Sequence, residues 1–218
     1  MGKVYMQRHY TTIDRVINTM DQALRLSSGL APEPRRANPA GEIEDSDMDE
    51  TTRQHVAGLM RINHTGEICA QALYAGQAAT ARNPAIREEM EQASQEEIDH
   101  LSWCEQRLQE LDSRTSLLNP LWYAGSFAIG AVAGVAGDGW SLGFLKETEI
   151  QVEAHLVDHL DRLPENDQRS HAILDQMKTD EAKHAEMAAT AGAFELAQPI
   201  KEAMTFASKI MKAVAYRI

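Results

Sequence analysis

The chain lacks most of the features that would place it quickly in a familiar class. Only two cysteines, Cys69 and Cys104, occur in 218 residues, too few for a disulfide framework or a four-thiolate metal site. Each falls within an expected helix and reads as a small buried side chain. Positive charge is scarce: 21 Lys and Arg stand against 33 Asp and Glu, a formal net charge of -12. So acidic a molecule repels nucleic-acid phosphates, which argues against a nucleic-acid partner. There is no Gly-x-Gly-x-x-Gly fingerprint, so no dinucleotide-binding unit can be read. The N-terminus MGKVYMQRHYTTIDRV has no apolar run of the secretory kind, and the protein is expected to begin its life in the cytoplasm.

Alternating strand patterns are almost absent as well, and what remains is helical. With 43% hydrophobic residues the chain can build one substantial core. Periods of three and four predict helices at about 51–81, 84–111, 140–163, 167–191 and 199–216. Asn83-Pro84 suits a helix start, and Pro164 and Pro199 mark breaks before the last two helices. Residues 1–50 read as an arm and linker ahead of a single domain over 51–218. Within the arm, residues 10–26 have a short helical pattern, and the Pro-, Gly- and acid-rich stretch that follows reads as a mobile linker.

Residues 115–137 carry no charge. By length the segment could cross a bilayer once. Its glycines and Pro120 weaken a straight span, leaving a helix in the membrane interface or a buried core helix as the other readings. The last helix has Ile200, Met204, Ala207, Met211 and Val214 on one side and Lys201, Lys209, Lys212 and Arg217 elsewhere. This pattern fits either contact with anionic lipid or an ordinary surface helix.

The chemistry lies in charged residues that stand where apolar ones belong. Along the second helix the stripe Ile86, Met90, Ala93, Glu97, His100, Cys104, Leu108, Leu111 is broken by one carboxylate and one imidazole. The stripe Leu174, Met177, Glu181, His184, Ala188, Ala191 repeats the pattern, while Glu149 interrupts Leu142, Leu145, Val152, Leu156 and Glu67 interrupts Val56, Met60, Ala70, Tyr74. A charge on a buried stripe costs several kcal/mol unless it is paired or bound to metal. Two matches to Glu-x-x-His mean little alone. Four helices each aiming a Glu inward, two of them adding a His one turn later, form the ligand pattern of carboxylate-bridged di-iron bundles. Four glutamates balance two ferrous ions, and carboxylate oxygen with imidazole suits iron. His64, three residues before Glu67 on the adjacent face, reads as a capped or solvated histidine ahead of one that supports a ligand, and Tyr74, Trp103 and Trp122 read as packing residues.

The segments Arg61-Ile-Asn-His-Thr-Gly-Glu67 with Ala75-Gly-Gln77, Glu96-Glu-Ile-Asp-His100, Asn119-Pro-Leu-Trp122, Glu149 followed by His155, and Asp180-Glu-Ala-Lys-His184 carry a close resemblance to a known family. The sequence resembles the demethoxyubiquinone hydroxylases, ferritin-like monooxygenases of ubiquinone biosynthesis, over about residues 51–218. The resemblance implies an all-α, ferritin-like four-helix bundle, with the apolar insertion between the second and third ligand helices and an extra C-terminal helix. It implies two iron ions: one on Glu67, Glu97 and His100, the other on Glu149, Glu181 and His184, with Glu97 and Glu181 bridging. It gives His155 a ligand-orienting hydrogen bond. It implies dioxygen as co-substrate, NADH or the quinol itself as reductant, and a polyprenyl quinol taken up by a peripheral protein at the cytoplasmic face of the cell membrane. Self-association and biosynthetic partner proteins stay open. The family's shortest members begin near Thr51, so they imply nothing about the arm. On the residues alone, another di-iron oxidase or peroxidase and an iron-storage bundle remain alternatives.

Overall fold

A computed structural model of the chain describes residues 33–218 together with Asp21 and Arg25. The helical pattern expected at 10–26 otherwise lies outside the described residues. Among these, the chain forms six helices and no strand: α1 Glu50–Thr80, α2 Pro84–Glu110, α3 Asn119–Ala136, α4 Asp138–Arg162, α5 Gln168–Thr190 and α6 Gln198–Ala215. Local chemistry sets the boundaries. Asp49 accepts from Thr52 N at 2.7 Å ahead of α1, Asn83 from Ala85 N at 3.0 Å with Pro84 opening α2, and Asp167 from Ser170 N at 3.1 Å ahead of α5. Each satisfies a backbone donor that a helix start leaves unpaired.

Helices α1, α2, α4 and α5 make the bundle, with α1 along α2, α4 along α5, and α2 against α5. Their apolar stripes meet in two layers. One holds Met60, Trp103, Leu108, Leu156 and Met177; the other holds Ala70, Tyr74, Met90, Leu142 and Leu145. Burying each large side chain stabilises the bundle by about 1.5–3 kcal/mol. On every helix the inward Glu falls in sequence between its two layer contributions, so the polar belt is closed above and below by packed hydrocarbon.

The uncharged insertion becomes α3 and lies along α1. Glycines fix that approach: a Cβ on Gly130 would overlap the Leu73 backbone, one on Gly76 would meet Ala131 N at 2.7 Å, and one on Gly134 would strike Thr80. Small residues let the two backbones come this close. The opposite face is uncovered, with Leu121, Ile129, Val132 and Val135 exposed. Thus α3 is a core helix on one side only. Among the described residues no helix is long and apolar enough to cross a membrane. Helix α6 is likewise half-docked. Met204, Met211 and Val214 are half-buried, whereas Ile200, placed on the same stripe by the sequence, is exposed along with Phe206 and Ile210.

Two expectations need correction. The arm over 33–48 is docked, not a mobile linker. Ala40 is fully buried in the core, Asp45 pairs with buried Arg107 at 3.0 Å, Arg169 donates to the Ile43 carbonyl, and Met48 packs on the core. Composition correctly excludes a helix here. It cannot show that partners far along the chain satisfy an irregular backbone. His64, read as capped or solvated, is 1% exposed, and burial pushes its pKa down to about 3.

Candidate metal centre

All six predicted ligands are buried: Glu67 3% exposed, Glu97 0%, His100 0%, Glu149 1%, Glu181 1% and His184 5%. Their donor atoms fall into two groups, Glu67, Glu97, His100 and Glu181, and Glu149, Glu181 and His184, with all atoms of a group within 4.8 Å of one another. His100 turns Nδ1 toward the cluster, 2.9 Å from Glu97 Oε2 and 3.3 Å from Glu181 Oε1. His184 does the same, with Nδ1 3.0 Å from Glu97 Oε1 and 3.2 Å from Glu181 Oε2. Glu97 and Glu181 therefore each place one oxygen beside one imidazole and the second oxygen beside the other. Glu67 Oε2 lies 3.8 Å from His100 Nδ1 and Glu149 completes the second group. The three-residue spacing of Glu and His makes this convergence possible, because both project from adjacent ridges of one helix.

The electrostatics fit a pair of cations. Burial, then the Glu97 and Glu181 charges, raises the Glu67 carboxyl well above its usual range, with His100 opposing. Glu149 is also raised well above it, by burial and then by Glu181 and Glu97. For the imidazoles, burial works toward the neutral form, but the Glu97 charge and hydrogen bonds donated to Asp180 and Glu181 raise His100 well above its usual value. Hydrogen bonds to Glu181 and Glu97 raise His184 to about 12 against the same burial. Glu67 Oε2 has no hydrogen-bond partner although it is buried. A hard-oxygen and imidazole donor set carrying four potential negative charges, with an unpartnered carboxylate oxygen aimed inward, suits two divalent transition-metal ions.

The surrounding contacts include residues that sequence reasoning left out. Tyr74 Oη donates to Glu149 Oε1 at 2.7 Å; its place on the α1 stripe, two turns beyond Glu67, was the available signal. The outer nitrogen of each histidine is held by the acid that precedes the Glu of the opposite Glu-x-x-His. His100 Nε2 is 3.2 Å from Asp180 Oδ2, and His184 Nε2 is 3.0 Å from Glu96 Oε2. Such partners fix the tautomer that presents Nδ1 to a metal. The resemblance gives His155 a ligand-orienting hydrogen bond, and the hydrogen bond it makes goes to Asn63. His155 Nε2 lies 2.9 Å from Asn63 Oδ1, one turn before Glu67, and burial, then the nearby His159, keeps the His155 pKa well below the usual value. Trp103 packs as expected, its ring tilted at 5.4 Å from His100.

Residues 54–215 match the family model described as ubiquinone biosynthesis protein COQ7. Similar curated proteins carry the name 3-demethoxyubiquinol 3-hydroxylase. One from Xanthomonas campestris pv. campestris is 56% identical over 217 residues, covering 100% of both chains, and one from Xanthomonas oryzae pv. oryzae is 57% identical over 218 residues with the same coverage. A third, from Acinetobacter baylyi, is 55% identical over 211 residues, 97% of this chain and 100% of its own. The matches extend beyond the bundle into the N-terminal arm. An all-helical bundle, paired Glu-x-x-His helices and full-length identity above half lead to one assignment: the chain belongs to the COQ7 family of ubiquinone biosynthesis proteins.

Proposed function

We propose that this chain is an oxygen-dependent 3-demethoxyubiquinol 3-hydroxylase, a monooxygenase, whose 51–218 domain holds two iron ions. Glu67, Glu97 and His100 serve one ion and Glu149, Glu181 and His184 the other, while Glu97 and Glu181 bridge. The observation that carries this reading is the pair of carboxylates whose two oxygens straddle both imidazoles, Glu97 at 2.9 and 3.0 Å and Glu181 at 3.3 and 3.2 Å. When bound, two ferrous ions supply electrons to dioxygen and open positions for it beside the substrate. In the overall balance a ring C–H becomes C–OH and the second oxygen atom leaves as water. This takes two electrons and two protons, both supplied by the quinol, or by NADH together with one proton from solvent.

The chain's own residues hold the site in place and keep water from it. Tyr74 fixes one oxygen of Glu149, Asp180 and Glu96 fix the imidazoles, and the apolar layers close the belt above and below. His155 Nε2 donates to the side-chain carbonyl oxygen of Asn63, one turn before Glu67. Exposed apolar side chains on α3 and α6, Val132 and Phe206 foremost, support peripheral attachment to the cytoplasmic face of the membrane, where a polyprenyl quinol resides.

Anaerobic reconstitution with ferrous ion, then a single turnover with labelled dioxygen and a demethoxyubiquinol analogue, tests the reading. About two irons per chain and one labelled oxygen in the quinone are expected. Iron oxidation with an unmodified quinone would return the protein to the oxidases and storage bundles. Val132→Asp with Phe206→Asp is expected to abolish sedimentation with anionic vesicles while leaving soluble iron loading intact. Undiminished sedimentation would remove the membrane assignment.

A further inference from the structure

The N-terminal arm reaches the metal belt through one side chain. Arg36 donates from Nη1 to Asp180 Oδ2 at 2.6 Å and from Nε to Asp99 Oδ2 at 2.7 Å. The Arg35 backbone N donates to Asp99 Oδ1 at 2.6 Å, which seats the arm on α2. Asp180 Oδ2 is the same oxygen that faces His100 Nε2 at 3.2 Å. The Arg36 guanidinium also lies over the Trp103 ring, 4.9 Å from its centroid, and that ring leans on the imidazole of His100 at 5.4 Å. The arm therefore contacts His100 indirectly along two routes, at its outer nitrogen through Asp180 and at its ring face through Trp103.

We propose that Arg36 is a positioning residue for the metal held by His100, and that it makes the two metal positions inequivalent. The inference rests on the di-iron reading above. Its physical basis is the contrast between the two outer carboxylates. The Asp180 side chain is 5% exposed and takes Lys183 at 3.0 Å and Gln176 at 3.1 Å on Oδ1 while Arg36 and His100 share Oδ2. Glu96, which does the same work for His184, has a side chain 45% exposed. Among the described residues Glu96 has no ion-pair partner besides His184. A carboxylate fixed by three donors besides His100 holds the imidazole in one orientation, and Arg36, whose fork joins Asp180 on α5 to Asp99 on α2, braces it across two helices. A solvated glutamate leaves His184 freer. The position served by His100 is thus preorganised and fills first.

The test uses the full chain with cobaltous ion, read by calorimetric titration, and with isotopically enriched ferrous ion, read by Mössbauer spectroscopy. Wild type is expected to bind two metals in two resolved steps. Arg36→Gln is expected to weaken the tighter step about 10-fold, the lower end of what an outer partner contributes. The weaker step should stay within about 3-fold, and the quadrupole doublet of one iron alone should change. Arg36→Lys retains a charge for Asp180 and should show a smaller change in the same step; it carries the test if Arg36→Gln does not fold. Arg169→Ala, which loosens the arm at Ile43 without touching Asp180, controls for undocking and should leave both steps in place. Equal weakening of both steps that tracks the fall in Tm seen in Arg169→Ala would overturn the proposal, as would unchanged titration and spectra in Arg36→Gln. Fewer than two metals on wild type would bring down the di-iron reading, and this proposal with it.

Discussion

His100 and His184 carry the same motif, each one turn after a glutamate whose oxygens straddle both imidazoles, yet their surroundings differ. Around His100 the outer carboxylate is buried and tied to the N-terminal arm; around His184 it is Glu96, open to solvent. On the inner side the contrast reverses. Glu149, in the His184 group, receives the Tyr74 hydroxyl, whereas Glu67, in the His100 group, has an unpartnered oxygen. Two stretches built on one Glu-x-x-His motif therefore give one half braced from outside and one braced from inside. The repeat builds two similar groups of potential ligands, and the packing around them makes the two chemically distinct.

The strongest way to break this comparison is to remove what the halves share. Glu181 belongs to both donor groups, so Glu181→Ala is expected to lose both metals, with affinity falling well beyond the 10–100-fold that an outer partner contributes. Glu149→Ala should keep one. Metal analysis of the purified variants decides, and one tightly held metal in Glu181→Ala would contradict the straddling geometry.

Acidity should weaken both halves together. Glu67 and Glu149 have raised pKa values, and His100 and His184 are raised too, so each must release a proton before it can ligate. The raised carboxyls help the metal-free fold at low pH, and that help is lost as pH climbs from their usual 4.5 through the raised values. Metal binding acts in the opposite sense. Apparent affinity should rise at least about 10-fold per pH unit, and the gain in Tm on adding metal should grow between pH 5.5 and 7.5. A gain independent of pH would show that these groups are already deprotonated.

The remaining substitutions sharpen the difference between the halves. Asp180→Ala should weaken metal binding by about 10–100-fold, chiefly in the His100 position. Tyr74→Phe removes a charge-assisted hydrogen bond on the other side, so a roughly 10-fold loss confined to the Glu149 position is expected. Glu96→Ala should cost least, within about 3-fold, because water can replace an exposed acceptor. Calorimetric titration ranks the three; a Glu96 effect as large as that of Asp180 would erase the asymmetry.

Much of the site was legible in the sequence because a charge on an apolar helical stripe is costly to bury without a partner. Glu67, Glu97, Glu149 and Glu181 each interrupt such a stripe, and all four are buried where the stripes meet. Asp180 and Glu96 stood inside the motifs that carried the family resemblance, but their work depends on which helix faces which. Arg36 was invisible for the same reason. Its partners Asp99 and Asp180 lie 63 and 144 residues away, in a stretch whose composition reads as linker. The uncharged segment was legible as something apart from the bundle. Its glycine seam and exposed face depended on α1 being the neighbour.

The sequence by itself determined the helices, their inward glutamates and histidines, and so the kind of metal chemistry the bundle suits, since helical periodicity and the cost of burying charge are local properties. Tertiary structure alone decided that the arm folds back onto the bundle, that one outer carboxylate is buried and the other wet, and that α3 and α6 each leave an apolar face uncovered. Those outcomes depend on long-range packing, in which an arginine, a glycine or a valine takes its role from side chains that only the folded chain brings within reach.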